Sequence, residues 1–250
     1  LSRLCVYESA REKTGGYING NDNHSFKSKR GSRKDNHHAA LAAGLSMEGK
    51  RVLCIDLDPQ GNLGFCLGLD AEAGYTVLDA LKGQIPVREA IRQTQLCGLL
   101  SSDITLSSTG LELVRGQRRE SILRDTLQPV LGEYDYVVID TPPALNLLTV
   151  NAYAVSDYLV IPMASDILSL VGLSQLKETV ESVQSQLNPR LKVLGILLTR
   201  FNGRTCLARD VLEMAQQLAD QMNTRVFDAK IRNGVAIARG PGAWREYFYI

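Results

Sequence analysis

The sequence predicts an α/β protein with a doubly wound, mostly parallel sheet and helices on both faces. Three observations carry that prediction. From residue 41 onward, strand-like and helix-like segments alternate, the pattern that a parallel sheet with crossover helices produces. Two short apolar runs, Val52-Leu-Cys-Ile-Asp56 and Tyr136-Val-Val-Ile-Asp140, read as buried strands that end in an acid and a Pro-marked turn. The chain has 250 residues and is 44% hydrophobic, enough for one large core.

Strands are expected at 51–56, 97–101, 136–140, 158–162, 192–198 and 226–231. The clearest helix runs from Ser169 to Leu187, where Leu170, Leu173, Leu176, Val180, Val183 and Leu187 step by three or four. Asn188-Pro189 stops it. Arg115 to Leu131 reads as a second amphipathic helix, with Ile122, Leu123, Leu127 and Leu131 on its apolar face. Residues 1–38 are polar, rich in Asn, Lys, Ser and Gly, and read as a disordered or tag-like tail.

Acids at the C-terminal ends of buried strands stand where open α/β sheets bind their ligands. Asp56 and Asp58 end the first strand and Asp140 ends the other. A magnesium–nucleotide site needs such carboxylates, one to hold the metal's water shell and another to orient an attacking water.

Bulk properties narrow the class. The formal net charge of +1 gives no global field towards nucleic acid or membrane, so DNA binding requires a local patch. Cys5, Cys54, Cys66, Cys97 and Cys206 show no paired metal-ligand spacing and read as reduced packing cysteines of a cytosolic protein. No apolar run approaches the roughly 20 residues of a membrane helix, and the first residues lack the pattern of a signal peptide.

Six segments carry a family resemblance. Asp56-Leu-Asp-Pro-Gln-Gly-Asn62, Ile139-Asp-Thr-Pro-Pro143, Leu147-Leu-Thr-Val-Asn151, Gly172-Leu-Ser-Gln-Leu176, Gly195-Ile-Leu-Leu-Thr199 and Val226-Phe-Asp228 stand in this order. They resemble the ParA/Soj branch of the deviant Walker-A ATPases, from about Leu41 to about Ala238. The resemblance implies a P-loop-like fold and ATP with Mg2+ as cofactors. It implies a homodimer around ATP, DNA binding without sequence preference, and release after hydrolysis. A ParB-like centromere-binding activator would be the partner, and the place would be cytoplasmic, on the nucleoid.

The family's phosphate loop, Lys-Gly-Gly-Val-Gly-Lys-Thr-Thr, falls on Lys29-Arg-Gly-Ser-Arg-Lys-Asp-Asn36. Lys29, Gly31 and Lys34 are retained. Arg30 and Arg33 replace glycines, and Asp35 replaces the magnesium-binding Thr. A side chain at position 33 obstructs close backbone approach to a phosphate. A frame shift is one account of the pattern, against natural divergence or deliberate redesign. Lys27 to His38 can be encoded so that each codon's last two bases begin the family's codon, giving Asn-Gln-Lys-Gly-Gly-Val-Gly-Lys-Thr-Thr-Thr-Thr. Arg239 to Trp244 shifts likewise to Glu-Ala-Pro-Ala-His-Gly, the family's usual ending. Residues 1–28 are therefore expected to be poorly structured or non-native. Residues 29–250 are expected to form one ATPase domain, with an atypical tail at 239–250.

The resemblance assigns Asp58 to the attacking water and Asp140 to the magnesium shell, with Asp58 beside the metal. Lys29 becomes the signature lysine that reaches the partner's nucleotide. Gly31, Lys34, Asp35, Asn36 and Asn233 complete the nucleotide-binding set. A turn-forming Asp58 before Pro59 and a capping Asp140 are the rival readings. Asp56 reads as a structural support. His37 and His38 make a poor metal pair, because adjacent helical residues do not share a face. Arg204, Arg209, Arg225 and Lys230 are the candidate DNA contacts, against the alternative of a solvated face among Asp210, Glu213 and Asp220.

The degraded loop supports one functional alternative, a non-hydrolysing nucleotide- or partner-binding protein of the same fold. The membrane-bound division-site relatives need a C-terminal basic amphipathic helix, for which Trp244 to Ile250 is too short and aromatic. The iron-sulfur relatives need cluster-ligating cysteines that these five positions do not match.

Overall fold

The computed structural model describes residues 3–8, 37–69, 74–107 and 119–231. Among the described residues seven strands form one sheet in the order β3-β4-β2-β5-β1-β6-β7. They are β1 (Arg3–Glu8), β2 (Val52–Asp56), β3 (Ile91–Gln93), β4 (Gly98–Leu100), β5 (Tyr136–Thr141), β6 (Tyr158–Ala164) and β7 (Lys192–Thr199). β2 is parallel to β4 and β5, and β6 is parallel to β7. Helices are α1 (His37–Met47), α2 (Asn62–Cys66), α3 (Val77–Leu81), α4 (Val87–Ala90), α5 (Ile122–Leu127), α6 (Leu147–Val155), α7 (Ile167–Gln186) and α8 (Cys206–Gln221).

Side chains alternate across each strand, so the central strands feed two apolar clusters. Val52, Cys54, Val138 and Leu99 face Ala39, Ala42 and Ala43 of α1 and Leu63 of α2. Leu53, Ile55, Val137, Ile139 and Leu100 face the other way, against Leu123 of α5, Tyr153 of α6 and Leu173 of α7. A strand buried on both faces reads as a continuous apolar run, which is why β2 and β5 were visible in the sequence. In α7 the expected residues Leu170, Leu173, Leu176, Val180 and Val183 are buried, while Leu187 caps the helix end.

Four expectations need correction. Arg3–Glu8 was read as part of a tail, but it forms β1 in the interior of the sheet, with Cys5 and Val6 buried. The other residues of 1–28 lie outside the described set. β3 was not expected. Its three residues pair antiparallel with β4 through a turn in which the Thr94 hydroxyl accepts from the N–H groups of Leu96 and Cys97. The expected strand at 226–231 is reduced to one bridge, Val226 with Ile196. The Phe227 ring packs directly over Gly195, where a Cβ would stand 2.8 Å from it. The expected helix from Arg115 to Leu131 is confined, within 119–131, to Ile122–Leu127, followed by a 3-10 turn at Leu131–Glu133.

Candidate functional site

Parallel pairing of β2 with β5 places Asp56 beside Asp140 at the C-terminal edge of the sheet. The Leu57 N–H donates to the Asp140 carbonyl at 2.8 Å, so the chain leaving β2 remains against β5 as it carries Asp58 outward. Asp56 is fully buried. Its Oδ1 accepts from the Asp58 N–H at 2.9 Å, and its Oδ2 from the Leu63 N–H at 3.1 Å. Both oxygens thus hold the loop between β2 and α2, which confirms the supporting role read for Asp56. Asp58 is partly exposed, and its Oδ1 accepts from the Gln60 N–H at 3.0 Å. Gly61 has φ +63, and a Cβ there would meet the Ser102 carbonyl at 3.0 Å. Only glycine suits that crossing of loops.

Burial, and next the charge of Asp140, push the Asp56 carboxyl well above the ordinary Asp range, against the two N–H bonds that favour its charged form. The folded chain therefore holds this proton more tightly than the unfolded chain. The group favours folding below the ordinary Asp range, and that contribution is lost as pH rises through its raised pKa. Asp140→Asn removes the like charge and should move the Asp56 titration downward, as read by carboxyl-carbon NMR. An unmoved titration would show that burial alone sets it.

Hard oxygen donors gathered this closely fit a magnesium ion, which takes one or two carboxylates and keeps several waters. The mutual charge of Asp56 and Asp140 is the second observation in favour, since a divalent cation would relieve it. With Asp56 engaged by backbone, Asp58 and Asp140 are the two residues that could hold the metal shell. Among the described residues no group of three or more His, Cys, Asp or Glu side chains is arranged to bind a metal by protein ligands alone.

One residue at this edge was not assigned a role from the sequence. His38, near the start of α1, places Nε2 3.3 Å from Asp140 Oδ1, and both side chains are largely buried. Nothing in residue spacing marks that contact, because it depends on how α1 docks against β5. Lys29, Gly31, Lys34, Asp35, Asn36 and Asn233 lie outside the described residues. β1 runs antiparallel to β5, pairing Arg3 with Thr141 and Glu8 with Tyr136. Its end at Glu8 is therefore at the edge opposite the acids, whereas a phosphate loop normally leaves its strand at the ligand edge.

The basic candidates lie around the far strand, β7. Arg204 is exposed in the turn before α8, and its N–H donates to Asn202 Oδ1 at 3.3 Å. Arg209, one turn into α8, donates to Cys206 Sγ at 3.3 Å. Lys230 lies over the Phe201 ring and Arg225 over the Phe227 ring. Because β7 is parallel to β6 and the Arg204 turn follows its C-terminal end, Arg204 stands at the acid edge of the sheet. Arg225 sits lower, where its carbonyl accepts from the Ile196 N–H at 2.8 Å.

Among the described residues no helix is long and apolar enough to cross a membrane. A family profile described as an AAA domain matches residues 25–193. Chromosome partitioning protein ParA of Myxococcus xanthus is 40% identical over 204 residues, covering 80% of this chain and 71% of that protein. Chromosome-partitioning ATPase Soj of Treponema pallidum is 37% identical over 203 residues, covering 80% and 78%. Among solved structures, cobyrinic acid a,c-diamide synthase of Mycobacterium smegmatis with bound ATP analog and magnesium is similar at a TM-score of 0.72 and 32% identity, covering 86% of this chain and 88% of that one. With the acid-tipped edge and the ordered motifs, these similarities show that the chain belongs to the ParA/Soj family of partitioning ATPases.

Proposed function

We propose that this chain is an ATP hydrolase of plasmid or chromosome partitioning, which dimerises around ATP and magnesium and binds DNA without sequence preference. Hydrolysis releases the DNA, and a ParB-like centromere-binding protein stimulates it, in the cytoplasm on the nucleoid. The observation that carries this reading is the meeting of Asp56, Asp58 and Asp140 at one sheet edge, beside the start of α1. A helix N-terminus there favours phosphate. The ATP analog and magnesium in the Mycobacterium smegmatis synthase support the same ligands here.

In this reading Asp58 orients the attacking water, and Asp56 keeps the Asp58 backbone in place. Asp140 holds the metal through its water shell. Magnesium, when bound, neutralises charge on the phosphates. Lys34, Gly31, Asp35, Asn36 and Asn233 line the nucleotide, and Lys29 reaches the partner's. Leu145, Ile167, Leu168 and Val171 are exposed apolar residues beside a shallow groove formed by Pro143, Ala144, Ser169, Gly172 and Gln175. That face, close to the end of β5, suits a second copy of the chain.

For DNA, the support is the exposed Arg204 turn on a chain with almost no net charge. Arg204→Ala in the ATP-loaded protein should weaken binding about equally on unrelated duplexes and reduce the salt slope by roughly one. Filter binding across a salt series measures this. An unchanged slope makes Arg204 an ordinary surface charge.

One observation favours a second reading, a non-hydrolysing binding protein of the same fold. His38 lies against Asp140, in the space where a metal shell would form. Phosphate release by the purified chain, with and without DNA, separates the two readings. Turnover supports the ATPase, and nucleotide binding without turnover supports the alternative.

A further inference from the structure

We propose that Cys54 and Cys97 form a reversible oxidation site inside the sheet, closed to a disulfide by a hydroperoxide and reopened by a dithiol. Cys54 lies in β2, and Cys97 is the last residue of the turn between β3 and β4. Their sulfurs are 3.6 Å apart and share a hydrogen bond. Both belong to the apolar cluster with Leu63, Leu67, Leu99 and Val138, so no water-filled space separates them. Neither residue has a part in the nucleotide or DNA chemistry described above.

The two thiols are chemically unequal. Cys54 has no exposure, whereas Cys97 retains 6%. The hydrogen bond with Cys54, and also that with the Thr94 hydroxyl, hold the Cys97 thiol below its ordinary value. The same sulfur–sulfur bond, together with burial, holds Cys54 well above. Attack begins at Cys97, the only one of the two sulfurs whose residue retains any exposure, and the thiolate is the nucleophile. Its sulfur bonds to one peroxide oxygen, the O–O bond breaks, and the other oxygen leaves as hydroxide, which takes up the thiol's proton to become water. Cys97 is now a sulfenic acid. Cys54 sulfur then displaces its hydroxyl. The S–S bond forms, the S–O bond breaks, and the Cys54 proton leaves with the hydroxyl as a second water. Two thiols are oxidised, and hydrogen peroxide is reduced to two waters.

Closure requires movement, because a disulfide is about 2.05 Å long. Cys54 pairs in register with Leu99, so Cys97 stands two residues short of it along the neighbouring strand. Cys54 is held in the interior of the sheet, and the turn carrying Cys97 has to shift.

The test is treatment of the full chain with hydrogen peroxide, followed by alkylation of remaining thiols and non-reducing peptide mapping. A Cys206→Ser background removes the exposed thiol, which could join two copies. The expected result is a new peptide joining the Cys54 and Cys97 segments, two hydrogens lighter than their sum and lost after dithiothreitol. Cys54→Ala should halt the reaction at a Cys97 sulfenic acid that dimedone captures. A linkage to Cys66 instead, or Cys97 still fully alkylated after peroxide, overturns the proposal. If Cys54→Ala fails to fold, the map of the chain with both cysteines decides alone.

Discussion

Replacing the loop residues Arg30→Gly, Ser32→Val, Arg33→Gly, Asp35→Thr and Asn36→Thr is expected to tighten ATP binding by about 100-fold or more. Phosphates at a helix N-terminus are held by backbone N–H groups that must approach closely, and glycine permits that approach. Each charge-assisted hydrogen bond contributes about 1.5–3 kcal/mol. Two restored bonds therefore give roughly 3 kcal/mol or more, which is about a hundredfold in affinity. The threonine hydroxyl at 35 adds a magnesium ligand, and removing Asp35 ends repulsion of the phosphates. Residues 29–36 precede α1 in the chain, and its second residue His38 touches Asp140. Calorimetric titration with magnesium-ATP on both proteins measures the difference. Equal affinities would show that the phosphates bind elsewhere.

In the repaired chain, Asp58→Asn should lower kcat by about 100-fold, within the range assigned to a positioned acid–base group. ATP affinity should change little, because the contribution lies in the attacking water rather than in phosphate binding. The substitution leaves the local fold intact. The Asp58 backbone N–H still donates to Asp56, and Asn keeps an acceptor for the Gln60 N–H. Single-turnover phosphate release isolates the chemical step. Unaltered release would return Asp58 to the role of a turn residue before Pro59.

Much of the architecture was legible because burial leaves a compositional trace. β2 and β5 are flanked by helices on both faces, so nearly every residue is apolar until the acid that ends each strand. α7 was legible for a related reason. One side packs on the sheet, and its buried residues recur at helical spacing. β1 and β3 were not legible. Each is short, and β1 lies in a polar stretch where Leu-Cys-Val-Tyr is too brief to establish a period. The strand expected at 226–231 failed because β-branched and aromatic residues signal only a pleated surface. There the chain keeps only scattered backbone bonds to β7, from Ile196 to Arg225, Phe227 to Ile196 and Ile231 to Leu198, with the Phe227 ring over Gly195.

The site divides in the same way. The residue order by itself placed Asp56 and Asp140 at or beside the C-terminal ends of buried apolar strands, with Asp58 in the turn beyond β2. It also determined the family, through six motifs whose order local chemistry preserves. Only the tertiary structure decided that Asp56 and Asp140 are register partners, that Asp56 is engaged by two backbone N–H groups, and that His38 lies against Asp140. It alone decided that β1 enters the sheet antiparallel, and that two cysteines 43 positions apart share a hydrogen bond. Those outcomes depend on strand neighbours and helix docking. They are long-range contacts whose energy comes from shared burial, and residue spacing along one segment carries no record of them.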